Sequence, residues 1–465
     1  MDSLLSDLEA VVGNPHVLTD DDTKAKYLQD WRRQFRSDAM AVVRPASTRE
    51  VSAVVARCHS AGVGMVPVGG NTGLVGGAVA SKSQIMISLE RMARARNVDV
   101  LGATIALDAG CILGNAQRAA SEHDLLLPLS LSAEESCQIG GNISTGAGGL
   151  NVVRYGTVRD QILGLEVVMP DGRIFDSMRM LRKDTAGYDL KQVFIGAEGT
   201  LGIVTGAVMR LYPAPEKNVT LWLATDGLDD VLVLFERVRN VFGNLLTAFE
   251  YLSGGTVEII ARYLEQSPPL ATSDDANFVL IELAGSNAEL NESAVFDQFL
   301  DWQERGLLSD SVLATDASKR DLLWRFRHSA SGAQTLAGTC IKHDIGLPVS
   351  RIGEFLRRVP AEIRREQDMF QLFVFGHIGD GNLHFTVASP QHTDRSDIEL
   401  RRAAIHAAVY SLVVELGGTI SAEHGVGLLK REELGQQVGE MGLSLMRQLK
   451  QQFDPLGLMN PGKML

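Results

Sequence analysis

The hydrophobic pattern changes period repeatedly between residues 41 and 68. Ala41-Val42-Val43-Arg44-Pro45 is a short apolar run that proline stops. Val51, Val54, Val55 and Cys58 then recur at helical spacing, and Val63-Gly64-Met65-Val66-Pro67-Val68 is apolar again. That order predicts a β-α-β unit. Ser47-Thr48-Arg49-Glu50 opens its helix as a capping box, with Ser47 at the N-cap and Glu50 three residues on. Residues 1–40 are predicted to be mostly helical.

Further along, Gly164-Leu165-Glu166-Val167-Val168 is a strand leading into an Asp171-Gly172 turn, and Pro213-Ala214-Pro215 marks a boundary. Beyond it come an apolar run at Val219–Ala224, a helix from Asp229 to Phe242, strands at Ala248–Leu252 and Phe278–Leu283, and helices at 290–305 and 321–337. A second capping box, Ser396-Asp397-Ile398-Glu399, opens a helix that Gly417-Gly418 ends. Strands and helices mixed in this way fit an α+β domain. Leu372–Phe375 and Phe385–Val387 flank Gly379-Asp380-Gly381-Asn382, and Asp-Gly between such runs predicts a two-residue hairpin turn. That turn sets Gly379 opposite Asn382 and His377 opposite His384. Both imidazoles then lie on one face, with Cβ atoms about 4.5–5.5 Å apart. Two histidines so placed can converge on one metal ion, and Glu423, in Ala422-Glu423-His424-Gly425, is the candidate third ligand. Such a set leaves a coordination position open for substrate.

Composition narrows the classes. At 465 residues the chain exceeds a single core, so two or three domains are expected. A hydrophobic content of 45%, a charged content of 22% and a mean hydropathy of +0.04 fit a soluble globular protein. A net charge of -13 argues against a nucleic-acid partner. No apolar run is long enough for a membrane span. The acidic N-terminal stretch reads as an amphipathic helix and not as a signal or transit peptide. Cys58, Cys111, Cys137 and Cys340 lack CxxC spacing and read as reduced thiols of a cytoplasmic protein.

Glycine is bunched. Gly69-Gly70-Asn71-Thr72-Gly73-Leu74-Val75-Gly76-Gly77 places five glycines in nine residues directly after a strand. Glycine lets backbone N–H groups approach an anion, and a pyrophosphate suits such a nest. No Gly-Lys-Ser/Thr follows, so it is not a Walker loop. A second stretch, Ser136 to Gly149, suggests one extended ligand cradled from two sides.

Pro67-Val68-Gly69-Gly70-Asn71-Thr72-Gly73, Ile139-Gly140-Gly141-Asn142 and the run from Leu190 to Ile203 resemble the FAD-binding domain of vanillyl-alcohol-oxidase-type flavoproteins. The resemblance implies an α+β fold: a two-subdomain FAD-binding domain, an α+β cap (substrate) domain and a C-terminal helical segment. The expected limits are an N-terminal helical segment at 1–40, the FAD domain at 41–215, the substrate domain with the metal site at 216–425, and a segment at 426–465 returning to the FAD domain. FAD contacts are implied at Pro67, Val68, Gly69, Gly70, Asn71, Thr72, Gly73, Gly76, Gly77, Ser132, Ser136, Gly140, Gly141, Asn142, Ser144, Gly148, Gly149, Glu198, Gly202, Ile203 and Asn460. Neither glycine stretch holds a histidine, so the FAD is expected to be non-covalent.

Gly376-His377 through His384, with Glu423-His424-Gly425 and Asn460-Pro461-Gly462-Lys463, resembles the branch that oxidises D-2-hydroxy acids. The resemblance implies His377, His384 and Glu423 as ligands of a divalent ion, zinc or manganese, with His424 as the base. Trp324-Arg325-Phe326-Arg327-His328-Ser329-Ala330-Ser331 and Ile341-Lys342-His343-Asp344-Ile345-Gly346-Leu347-Pro348 resemble the D-2-hydroxyglutarate enzymes, implying Arg327, Ser331 and Lys342 as carboxylate binders. Two cations suit a dicarboxylate. Phe385-Thr386 and Ser331 depart from that pattern, so D-lactate, glycolate and D-malate stay open, as does a non-catalytic flavin-binding subunit. The expected partners are a small 2-hydroxy acid and an electron acceptor, an electron-transfer protein or a quinone. A homodimer is also allowed.

Overall fold

A computed structural model describes residues 2–273, 275–366, 369–389 and 395–465, without the side chains of residues 2 and 395–398. The second capping box therefore falls, at Ser396 to Ile398, outside the described side chains. The chain divides into two compact units: 1–149, 156–214 and 423–465 form the first, and 150–155 with 215–422 the second.

In the first unit the predicted β-α-β is present. Ala41–Val43 and Gly64–Val68 both run parallel to Gln84–Ser88, and the intervening helix spans Thr48–Ser60. Ser47 Oγ accepts from the Glu50 N–H at 3.2 Å, whereas the Glu50 carboxylate returns to the N–H of Ala46, not of Ser47. The helix buries Val51, Val54, Val55 and Cys58 completely, as its spacing requires. A five-stranded antiparallel sheet follows, in the order Ala95–Asp99, Thr104–Asp108, Ile203–Arg210, Ile162–Val168 and Ile174–Ser177. The carboxyl-terminal part of this unit carries a helix over Arg431–Phe453, broken where Gly439 takes φ 70°.

The second unit is built on one seven-stranded antiparallel sheet. In chain order its strands are β1 (Lys217–Thr225), β2 (Leu246–Ser253), β3 (Asn277–Gly285), β4 (Asp310–Leu313), β5 (Cys340–Gly346), β6 (Gln371–Gly376) and β7 (Asn382–Ala388). In space they run β4-β1-β3-β2-β6-β7-β5. Both faces are covered. Phe249, Tyr251, Ile281 and Leu283 pack on one side with Phe235, Phe299 and Phe355. Trp222, Leu252, Leu280 and Phe375 pack on the other with helix α1 (Gly254–Leu264) and helix α2 (Ala317–Ala333).

Two sequence expectations need correction. The hairpin does not turn at Asp380-Gly381 alone: β6 and β7 pair Phe375 with His384, and the Asn382 N–H reaches the His377 carbonyl at 3.2 Å. His377 is therefore opposite Asn382, and the loop spans Ile378–Gly381. Its neighbours impose this, since Gly379 N–H donates to Phe249 O at 3.3 Å and Leu347 N–H donates to Gly381 O at 2.9 Å. The register moves by two residues, an even number, so both histidines keep one face. The second glycine stretch, read as a loop, contains a short helix at Ile139–Thr145 that ends with Gly146 at φ 69°. Gly140 is needed there because an added Cβ would lie 2.8 Å from that of Ala109.

Candidate functional site

In the first unit the two glycine stretches lie against each other. Any Cβ at Gly70 would collide with the Ser136 carbonyl, and one at Gly69 would sit 3.5 Å from Gln138 Oε1. Asn71 takes φ 54°. Pro67 and Val68 end the strand that feeds the first stretch; Thr72 and Gly77 are half-buried, Gly73 is exposed and Gly76 is buried. Ser132, just ahead of the second stretch, and Ser136, which opens it, are exposed; Gly141 and Gly148 are half-buried, Asn142 is buried, and Ser144 Oγ donates back to Gly140 O at 2.7 Å. Gly202 and Ile203 lead into the central antiparallel strand, where a Cβ on Gly202 would meet Val167. Gln138 Oε1 and Asn460 Oδ1 are buried with no hydrogen-bond partner among the described residues. Narrow glycine walls with unmatched polar atoms fit an extended polar ligand.

The return segment braces this cradle. Asn460 donates from Nδ2 to Gly77 O at 3.0 Å and Glu198 O at 2.7 Å, and from its N–H to Met65 O at 2.7 Å. Lys463 Nζ reaches Val79 O. Glu198 forks two successive backbone donors, Val426 N–H at 2.6 Å and Gly427 N–H at 2.7 Å. Burial raises its pKa against the pull of those donors and of Lys430. Just ahead in the chain, Glu423 Oε1 accepts from the Gly149 N–H at 2.7 Å. Gly425 at φ 83° curves the backbone past Glu423 and His424, both half-buried. The backbone at Glu423 and His424 is itself bent and not extended, so these neighbouring side chains need not point apart.

In the second unit a polar row crosses the sheet face that packs on α1 and α2. Glu282 on β3 accepts from Thr220 Oγ1 and Trp324 Nε1 at 3.0 and 2.8 Å. Next comes Glu250 on β2, fully buried. Its Oε1 lies 2.8 Å from His377 Nδ1, and its Oε2 lies 2.7 Å from both Nε and Nη2 of Arg327 on α2. Burial alone would raise the Glu250 pKa, but His377 and Arg327 outweigh it and hold the carboxyl well below its usual range. The rings of His377 and His384 lie 5.6 Å apart at 81°. His384 Nδ1 is 3.8 Å from Asp344 Oδ1, a buried carboxylate on β5 that also accepts from Asn382 Nδ2 at 3.0 Å. Lys342, half-buried, pairs in register with Thr386, whose hydroxyl accepts from Gln334 Nε2 at 2.9 Å. Arg327 is buried, whereas Ser331, one turn on, is exposed. The chain leaves this unit between Ala422 and Glu423, and the Ala422 N–H lies 3.4 Å from the Asp344 carbonyl.

Sequence reasoning did not single out Glu250, the buried acid of this row. The signal for Glu250 was present: a lone acid in Ala248-Phe249-Glu250-Tyr251-Leu252, where both alternating faces are otherwise apolar or aromatic. Such a charge is kept inside only with partners.

Among the described residues no helix is long and apolar enough to cross a membrane. Residues 39–177 match the model of an FAD binding domain, and residues 214–464 that of the C-terminal domain of FAD linked oxidases. The chain is 37% identical over 451 residues to D-2-hydroxyglutarate dehydrogenase, mitochondrial, of Danio rerio, covering 96% of this chain and 82% of that one. It is 36% identical over 463 residues to the probable D-2-hydroxyglutarate dehydrogenase, mitochondrial, of Oryza sativa subsp. japonica, covering 99% and 81%. Among solved structures, p-cresol methylhydroxylase superposes with a TM-score of 0.78 at 15% identity, over 100% of this chain and 96% of that one, which shows the shared fold. The chain therefore belongs to the FAD-dependent D-2-hydroxyglutarate dehydrogenase family, on the fold of the vanillyl-alcohol-oxidase flavoproteins.

Proposed function

We propose that this chain oxidises D-2-hydroxyglutarate to the 2-oxo acid, with His377 and His384 of the histidine hairpin, Glu423 and His424 as residues of the reaction. The observation that carries the reading is the pair of imidazoles on one sheet face, each beside a buried carboxylate, within a row that also holds Arg327 and Lys342. Metal-binding histidines characteristically have such carboxylate partners behind them. With Nδ1 of His377 turned to Glu250, Nε2 is the nitrogen that would ligate. Covalent continuity supports Glu423 as third ligand: it directly follows Ala422, whose backbone lies beside Asp344, and Asp344 is the register partner of His384.

When bound, non-covalent FAD supplies the hydride acceptor, and zinc or manganese at His377, His384 and Glu423 supplies a Lewis acid for the substrate hydroxyl. The protein's own part is to orient and to move a proton. Arg327, Ser331 and Lys342 hold the carboxylates, and His424 takes the hydroxyl proton as the C2–H electron pair leaves. The glycine-stretch residues named above, with Glu198 and Asn460, would line or brace the flavin. The electrons then pass to an electron-transfer protein or a quinone. A cytoplasmic place rests on four free cysteines, although the two relatives above carry mitochondrial names.

The test is anaerobic flavin bleaching over D- and L-2-hydroxy acids, with and without chelator, on wild type and Lys342→Ala. Losing a charge-assisted hydrogen bond should lower kcat/KM for the dicarboxylate by about 1.5–3 kcal/mol, roughly ten- to 150-fold, and spare D-lactate. Equal losses on both acids would refute the dicarboxylate reading in favour of D-lactate or glycolate. A flavin that no 2-hydroxy acid bleaches would mark a non-catalytic subunit.

A further inference from the structure

We propose that Glu250 is a positioning residue that joins the metal-binding histidine to the substrate arginine, an inference that rests on the reading above. Its carboxylate is fully buried in a strand whose neighbours on that face are Ala248 and Leu252. It is shared between two groups that the proposed reaction needs separately. Oε1 faces His377 Nδ1 at 2.8 Å, and Oε2 takes Nε and Nη2 of Arg327 at 2.7 Å each.

Each half of that arrangement has a consequence. An ionised carboxylate only accepts, so Nδ1 of His377 must carry the proton, which fixes the tautomer and the ring plane with Nε2 as ligand. Arg327 is held side-on over the Phe375 ring, 5.0 Å from its centroid. Its remaining N–H groups make no hydrogen bond among the described residues, so one edge of the guanidinium is locked and the other is presented to a carboxylate. Glu250 also offsets the arginine charge beside a cation site. Asp344 stands farther from His384, 3.8 Å from the ring nitrogen, and also accepts from Asn382. The Glu282 carboxylate, in the same polar row, accepts from Thr220 and Trp324 and serves as a structural control.

Chelator-treated enzyme is titrated with zinc and with manganese against a competing dye. Glu250→Gln, which cannot accept from both partners, should weaken metal binding about ten- to 100-fold and raise KM for the dicarboxylate, with FAD content unchanged. Glu282→Gln and Arg327→Met should leave metal affinity within about threefold of wild type, because His377 keeps its acceptor. Glu250→Gln binding metal as tightly as wild type overturns the inference. Wild type binding neither ion refutes the metal reading itself, and the inference with it. If Glu250→Gln does not fold, 15N-histidine NMR of the metal-free wild type decides: a protonated Nδ1 at His377 is expected, and an unprotonated Nδ1 overturns the proposal.

Discussion

Replacing Glu198 by alanine should loosen the Glu423-His424 loop without emptying the flavin site. The carboxylate holds two consecutive N–H groups, Val426 at 2.6 Å and Gly427 at 2.7 Å, directly after the residues proposed as ligand and base. Each hydrogen bond to a charged acceptor contributes about 1.5–3 kcal/mol. Part of that is offset, because burial already disfavours the charged form of Glu198. A net loss of about 2–4 kcal/mol follows. The rest of the return segment stays attached through Leu428 to Val75 and through Asn460 to Gly77 and Met65. The loss should therefore appear as a displaced loop more than as global unfolding. If the whole of it must be recovered on the way to the transition state, the rate of flavin reduction falls about thirtyfold to a thousandfold. Glu198→Gln, which keeps one acceptor, should fall between that variant and wild type. Anaerobic stopped-flow bleaching with D-2-hydroxyglutarate measures the rate, and the flavin-to-protein ratio after desalting measures retention. Wild-type reduction rates in Glu198→Ala would refute the reasoning. Loss of flavin with no slowing in the molecules that keep it would instead confine Glu198 to the flavin contact, with no part in holding the loop.

Gly70→Ala should push the two glycine stretches apart, since its methyl group meets the Ser136 carbonyl; overpacking of about 1–3 kcal/mol predicts FAD retention weakened roughly five- to 150-fold, read by flavin fluorescence on dilution. Burial, helped by Arg431, lowers the Lys463 pKa from 10.5 to about 8. Between those pH values the unfolded chain binds more protons than the folded one, so wild-type stability should rise with pH relative to Lys463→Met, and the urea midpoints should show that difference only across this window. Burial also raises the Cys58 thiol to about 12 and Cys111 to about 11, and raises Cys137 as well. Burial raises Cys340 too, against the pull of Lys342 and Arg402, but it alone of the four is only half-buried, so native alkylation near pH 8 should reach it first, with mass spectrometry of peptides as the readout.

Local pattern was enough to place the elements that carry the candidate residues. Apolar spacing placed the Thr48–Ser60 helix and its Ser47 cap, the strands at Ala248–Leu252 and Phe278–Leu283, and the hairpin face shared by His377 and His384. These depend on interactions a few residues apart, which local pattern encodes. The hairpin register depends on long-range contacts, because the loop at Ile378–Gly381 is fastened by Phe249 on one side and Leu347 on the other, both remote in sequence. Tertiary structure also decided that the second glycine stretch coils into a helix, since what selects Gly140 is the nearness of Ala109 and not any local preference. Glu250 is the sharpest case. One acid in an apolar strand is only an anomaly until folding sets a histidine 127 residues later and an arginine 77 residues later against its two oxygens. Partnership across such separations is fixed by packing, and no local window contains it.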